Sequence, residues 1–250
     1  MAAKKKSPSG GIAVLLIVLI AAAGYLFFSK MNVLNSITVD GVTRSERDRI
    51  VSLLGLELGK DVSSVDLSEV RRIIRQDGAY EVLACEMRTG GSLYIDLRGR
   101  VARAKVKDTG MLYIIDEYGQ VMAKYAAGDA YSEGKEYSLL DVTGLEIHGA
   151  AAIGSELPAA DQNQVIAVST VIRAMDSTGL YSLVTELNVQ DLNNIYMTTV
   201  YGFFVEFGDS GKAENKCNII LQVIADLRQE GRYGGSIDAS SGESAVYKPS

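Results

Sequence analysis

The sequence is short of the side chains that carry most enzyme chemistry. It has one histidine, His148, two cysteines, Cys85 and Cys217, and no tryptophan. A His/Cys metal cluster or a relay of histidines cannot be assembled from that inventory, and no metal, nucleotide or other cofactor is expected. No Gly-x-Ser-x-Gly nucleophile elbow occurs. Basic runs are also scarce. Lys and Arg total 25 against 31 Asp and Glu, a formal net charge of -6. Phosphate backbones are held by clustered cations, so this balance excludes nucleic acid as the main partner. Apolar residues at 47% and charged residues at 22% are ordinary for a globular chain of one or two domains.

What is present begins at the N-terminus. Lys4, Lys5 and Lys6 precede an uncharged run from Ile12 to Phe28. As a helix that run would reach about 26 Å, or a little more with Gly10 and Gly11, close to the ~30 Å of a hydrocarbon core. The positive-inside rule then keeps residues 1–11 cytoplasmic and places the rest of the chain outside. Two readings stay open: a transmembrane helix over 12–28, or a signal peptide cut near Ala21-Ala22-Ala23. The first is favoured because Gly24 to Phe28 stays apolar past the small residues. Either way the remainder is expected outside the cytoplasm. Residues 29–250 hold 22 basic and 31 acidic groups, a surface suited to contacts with proteins. The two cysteines fall in separate apolar stretches and read as two buried thiols.

Past residue 35 the pattern reads strand, helix, helix, strand, strand. Ile37-Thr38-Val39 is a strand ended by Asp40-Gly41. A helix capped by Ser45 buries Ile50, Val51, Leu53 and Leu54. A second helix is capped by Asp66, with Glu69 completing a capping box, and buries Leu67, Val70, Ile73 and Ile74. Tyr80–Met87 and the alternating Leu93–Arg98 form a hairpin around Thr89-Gly90-Gly91-Ser92. Further on, Met111–Ile115 and Val121–Tyr125 flank Asp116-Glu117-Tyr118-Gly119. A Gly/Ala-rich loop leads to a helix over Ala159–Ser177. Three strands follow as a meander, then a helix over Ala213–Gln229, and a closing hairpin of Ser236–Ala239 with Ala245–Tyr247.

Few motifs could carry chemistry. Gly55-Leu56-Glu57-Leu58-Gly59-Lys60-Asp61 is one residue short of a P-loop, and Asp61 would repel phosphate. It reads as a turn between helices. His148 lies near Glu146 in a loop. Asp116 and Glu117 are adjacent carboxylates. Neighbouring strand residues face opposite ways, so the pair would not flank one glycosidic bond, and a solvated turn is expected.

Several of these segments, in order, resemble one family. They are Ile37-Thr38-Val39-Asp40-Gly41-Val42, Gly55-Leu56, Val62-Ser63-Ser64-Val65-Asp66, Arg88 with Leu93-Tyr94-Ile95, Arg100-Val101-Ala102, Ile115-Asp116-x-x-Gly119-x-Val121, Ile237-Asp238 and Ala245-Val246-Tyr247. The arrangement is similar to the FtsQ/DivIB family of bacterial cell-division proteins. This chain departs from the family pattern in having Gly90-Gly91 after Arg88, no proline between Arg100 and Val101, and Lys248-Pro249 after the last strand.

The resemblance implies an α+β fold. It comprises a cytoplasmic tail (1–11), an N-terminal transmembrane helix (12–28), a POTRA domain of β-α-α-β-β order (35–107), and a mixed β-sheet domain with two helices (108–249). It implies a single-pass plasma-membrane protein at the division septum, not an enzyme, with the coiled-coil proteins FtsB (DivIC) and FtsL as partners. Through them it would act on the septal peptidoglycan synthase pair FtsW and FtsI. In the family the last strand of the β domain receives a strand from FtsB. That places Ser241, Glu243, Ala245, Val246 and Tyr247 at the partner contact. A C-terminal hairpin at a sheet edge suits this role, because edges expose unpaired backbone groups. Backbone bonds at about 0.5–1.5 kcal/mol each bind weakly on their own, so side chains must add to them. Two other classes remain: a membrane-anchored wall enzyme using Asp116, Glu117 and His148, and another POTRA-bearing assembly or secretion component.

Overall fold

The structure, a computed structural model, describes residues 15–22, 24, 33–126, 139–149 and 151–249. It overturns the expected transmembrane helix over 12–28. The helical residues described in that stretch are 15–22 and 24, and no helix among the described residues is long and apolar enough to cross a membrane. Lys4, Lys5, Lys6 and the tail 1–11 lie outside the described residues. The described fold is α+β, in two compact units: residues 1–74 with 80–99, and residues 75–79 with 100–250.

The first unit contains β1 (Ser36–Asp40), α1 (Arg44–Leu54), a 3-10 turn (Val62–Ser64), α2 (Leu67–Asp77), β2 (Tyr80–Arg88) and β3 (Ser92–Gly99). β3 is central, parallel to β1 and antiparallel to β2. Its alternation puts Leu93, Ile95 and Leu97 in the core. Each helix buries an i, i+4 pair, Ile50 with Leu54 and Val70 with Ile74, worth about 1.5–3 kcal/mol per side chain. Of the apolar positions expected on α1, Leu53 is exposed.

The cap of α1 is Thr43, not Ser45. The Thr43 hydroxyl accepts from the Glu46 amide at 3.4 Å, and the Glu46 carboxylate accepts from the Thr43 amide at 2.8 Å. With Glu46 at the third helical position this box satisfies two orphan amides, which a cap at Ser45 would not. On α2, Asp66 caps as expected, accepting from the Ser68 and Glu69 amides. The Glu69 side chain holds Arg72, because an arginine three residues on competes for it. The Gly55–Asp61 segment is indeed a turn, with Gly55 left-handed at the end of α1 and Asp61 capping the 3-10 turn.

The second unit carries β4 (Ala104–Asp108), β5 (Met111–Ile115), β6 (Val121–Ala126), β7 (Leu140–Thr143), α3 (Gln162–Thr178), β8 (Val184–Asn188), β9 (Ile195–Thr199), β10 (Phe203–Gly208), α4 (Ala213–Gln229), β11 (Gly235–Asp238) and β12 (Val246–Lys248). These strands make one sheet in the order β12-β11-β10-β9-β8-β7-β4-β5-β6. β7 lies in the stretch expected to be a loop and pairs in parallel with β4 and β8.

Two β-α-β crossovers, β7-α3-β8 and β10-α4-β11, join parallel neighbours. Their helices pack on each other and share one apolar core with the sheet, so both cover the same face. Val165, Val168, Ile172 and Met175 of α3 and Cys217, Ile220 and Ile224 of α4 are buried there. Both cysteines are free and buried. Desolvation pushes the Cys217 thiol up to about 12. At pH 8 a thiol-disulfide reagent should therefore leave Cys217 unmodified in the native protein and modify it fully in urea, read as colour released per chain. Native labelling at the rate of a free thiol would contradict the packing.

Candidate functional site

The closing hairpin stands where the sheet ends. β12 pairs antiparallel with β11, with Ser236 opposite Lys248, Ile237 opposite Tyr247 and Asp238 opposite Val246. β11 in turn lies parallel to β10, and the Ala239 amide donates to the Glu206 carbonyl at 2.9 Å. That bond turns the backbone groups of Ile237 and Ala239 toward β10. By alternation those of Ser236 and Asp238 face β12. Val246 and Lys248 are thus the bonded members of β12, and the N–H and C=O of Tyr247 point away from the sheet. Among the described residues neither Tyr247 nor Ala245 has a partner for its main-chain N–H or C=O.

The other sheet edges are treated differently. On β6 the Val121 amide donates to the Ser155 carbonyl at 2.8 Å, and the Val121 carbonyl accepts from Gly154 at 2.7 Å. In the three-stranded sheet the edge strands β1 and β2 each have a carbonyl held by arginine. Arg47 Nε donates to Val39 at 2.9 Å and Arg71 Nη2 donates to Cys85 at 2.7 Å. Among the described residues β12 has no contact of that kind on its outer side, and open edges are templates for a further strand.

The residues expected at the contact divide into two groups. Ser241 and Glu243 build the hairpin tip. The Ser241 hydroxyl accepts from the Glu243 and Ser244 amides at 3.2 and 3.4 Å, and Glu243 reaches back to Lys212 Nζ at 3.1 Å. Ala245 and Tyr247 turn their side chains onto the core. The Tyr247 ring meets Phe203 edge-on at 6.2 Å, and its hydroxyl donates to the Gly234 carbonyl at 3.2 Å. Val246 alone of the five presents an exposed apolar side chain, 56% accessible. Tyr247 therefore offers its backbone and Val246 its side chain.

The hairpin rests on a residue that composition does not reveal. Lys216 is 1% exposed on the core face of α4. Its ammonium donates to the Asp209 carbonyl at 2.8 Å and the Asp209 carboxylate at 2.9 Å, and lies 5.1 Å from the Phe207 ring centroid. Directly above, Gly242 adopts φ 68, and a Cβ there would meet the Lys212 and Lys216 side chains at 3.2–3.4 Å. The available signal was position: Lys216 sits between Ala213 and Ile220 on the apolar stripe of the helix.

The carboxylate pair is corrected too. Asp116 is 1% exposed and no solvated turn. One of its oxygens pairs with Arg100, and the other accepts from the Tyr118 and Gln120 amides at 2.9 Å each. Gly119 completes the turn at φ 75, where a Cβ would lie 2.5 Å from the Val165 side chain. The Arg100 and Ile-Asp-x-x-Gly-x-Val segments thus meet as one structural joint. The Glu117 carbonyl accepts from the Ser169 hydroxyl at 2.8 Å. His148 is exposed and pairs with Glu146 at 3.1 Å.

No family model matches the chain, and no curated protein matches it.

Stability measurements test both buried ion pairs. Asp116→Ala removes the buried carboxylate that pairs with Arg100 and accepts from the Tyr118 and Gln120 amides, and should cost about 3–5 kcal/mol in urea unfolding of the second unit. Asp209→Ala leaves a buried ammonium with one acceptor. Because Asp209 is itself largely exposed, the cost should be only about 1–2 kcal/mol. Lys216→Met removes the charge together with its needs and should cost less. Lys216 holds the Asp209 carboxyl below its ordinary 3.8. This contribution is present above the unfolded value and lost as pH falls through the folded one, so the Asp209→Ala deficit should shrink in acid.

Proposed function

We propose that this chain is a non-enzymatic scaffold of bacterial cell division, acting on the extracytoplasmic side of the plasma membrane at the septum. It binds the FtsB (DivIC) and FtsL coiled-coil pair by accepting a strand on β12, and so regulates septal peptidoglycan synthesis by FtsW and FtsI. The partners come from the resemblance to the FtsQ/DivIB family. The observation that supports the reading is the outward backbone of Tyr247, which has no partner among the described residues. The hairpin is held from beneath by Lys216 and from within by Tyr247, so little ordering cost attends the arrival of a strand. The Asp116 carboxylate is engaged in holding the fold, which leaves a hydrolytic pair with Glu117 without support.

Val246 tests the reading. A glutamate there would extend a row already formed by Glu206 and Asp238, and a lysine would pair with Asp238. Both remove the exposed apolar contact, and the lysine also spares the hairpin from repulsion. Val246→Glu and Val246→Lys should each abolish co-purification with the coiled-coil pair, with circular dichroism unchanged in both and melting unchanged in the lysine variant. Undiminished co-purification by both variants would count against strand addition at β12.

A further inference from the structure

Helices α3 and α4 share a core with one face of the second sheet. On β10, Phe203, Val205 and Phe207 are buried in that core, so Phe204 and Glu206 alternate to the other face. Glu206 stands directly opposite Tyr196 of β9 and beside Asp238 of β11. The Tyr196 and Phe204 ring centroids are 5.0 Å apart, and Phe204 is 40% exposed. Rings and carboxylates therefore adjoin on the face away from the helices.

The first unit holds the same cross-strand pair in completed form. On its sheet Glu86 of β2 stands directly opposite Tyr94 of β3. Arg88, two residues along β2, places its Cζ 3.2 Å from the Tyr94 centroid and donates from Nε to Glu86 at 2.9 Å. One guanidinium thus satisfies the carboxylate and covers the ring. On β10 the residues two positions either side of Glu206 are Phe204 and Gly208, and neither is a cation. Among the described residues Glu206 makes no ion pair, and its carboxylate accepts from the Ser236 hydroxyl at 3.4 Å. Asp238 accepts from the Ser240 amide and hydroxyl at 3.1 and 2.7 Å. Lys248 is the single basic residue in strands β8 to β12, against Glu186, Glu206 and Asp238, and it lies opposite Ser236 in the adjoining row. Like charges on neighbouring strands repel. Further along the same sheet Asp141 of β7 has Lys105 and Lys107 of β4 at 3.6 and 3.8 Å. The Glu206 row is acidic and is given no such cation.

We infer that Tyr196, Phe204, Glu206 and Asp238 form a docking surface for a partner protein that presents an arginine, whose guanidinium stacks on the exposed ring and forks the Glu206 carboxylate. The inference uses side chains of β9 to β11, not the backbone of β12, and stands apart from strand addition. Arginine suits the patch better than lysine, because a planar fork can lie on a ring and still meet a carboxylate edge. A wholly apolar segment does not suit it, because covering Glu206 and Asp238 without a cation would desolvate two charges.

The test uses the full chain and three dye-labelled peptides with blocked termini, Gly-Leu-X-Leu-Gly, in which X is arginine, lysine or citrulline, the neutral isostere of arginine. By fluorescence anisotropy the arginine peptide should bind about tenfold tighter than the citrulline peptide, the combined margin of an exposed ion pair and a stacked cation. The lysine peptide should fall between them. Glu206→Gln should bring the arginine-to-citrulline ratio close to one. Phe204→Ala should bring the arginine-to-lysine ratio close to one, because the stack is lost. Glu214→Gln removes the same charge from an exposed position on α4 and should leave both ratios at their native values. Melting curves check that the variants fold, and the native ratios need no variant. Absence of binding by the arginine peptide, equal binding of the arginine and citrulline peptides, or a ratio that survives Glu206→Gln overturns the site. An equal loss in Glu214→Gln also overturns it, since that would mark diffuse attraction to an acidic chain. None of these outcomes bears on Val246 and the coiled-coil pair.

Discussion

Every open β-sheet ends in two rows of backbone groups that the sheet cannot satisfy, and how a protein treats those rows decides much of what its surface can do. In this chain the treatment is uneven. A loop segment takes both polar groups of Val121 on β6. Arginines from helices take carbonyls on β1 and β2. At β12 no described residue performs that service. The asymmetry cannot be ascribed to distance from side chains that could help. Lys212 and Glu243 stand at the tip of the hairpin. They bond to each other, and leave the strand bare.

A bare edge is useful as a template only if it keeps its shape. β12 has just three residues, and a pair of strands that short is marginal without packing. Four features compensate. The Tyr247 ring is buttressed by Phe203, the Ser241 hydroxyl closes the turn, Glu243 ties the tip to Lys212, and Lys216 fills the space beneath Gly242. A buried lysine is a costly filler compared with a methionine. Its merit is directional. Two acceptors on Asp209 fix the ammonium, and that fixes the loop joining β10 to α4 against which the hairpin leans.

Much of this was legible in the residues, and the failures share one cause. Local period revealed β3 through Leu93, Ile95 and Leu97, the stripes on α3 and α4, and the closing hairpin. Non-local pairing concealed the rest. Asp116 looked like a solvated turn residue because the group that buries it, Arg100, comes from another segment. β7 has four residues, Leu140 to Thr143, too few to display a period, and it exists because β4 and β8 both bond to it. Ser45 and Thr43 are both good caps, and the choice fell to Glu46, which can close a box only with Thr43. The apolar run 12–28 shows the reverse failure. Hydropathy and charge there matched a membrane span, yet no described helix has the length and apolarity for one.

The division between what the backbone of β12 offers and what its side chains offer constrains any partner. Main-chain bonds to Tyr247 are available to every extended segment, and a scaffold that accepted all of them would pair with any unfolded chain it met. Discrimination has to come from side chains within reach of the added strand, and few are free to provide it. Ala245 and Tyr247 face the core. Ser241 and Glu243 are spent on the turn. Val246 can reward an apolar neighbour, but an apolar strand is also what an aggregating chain presents.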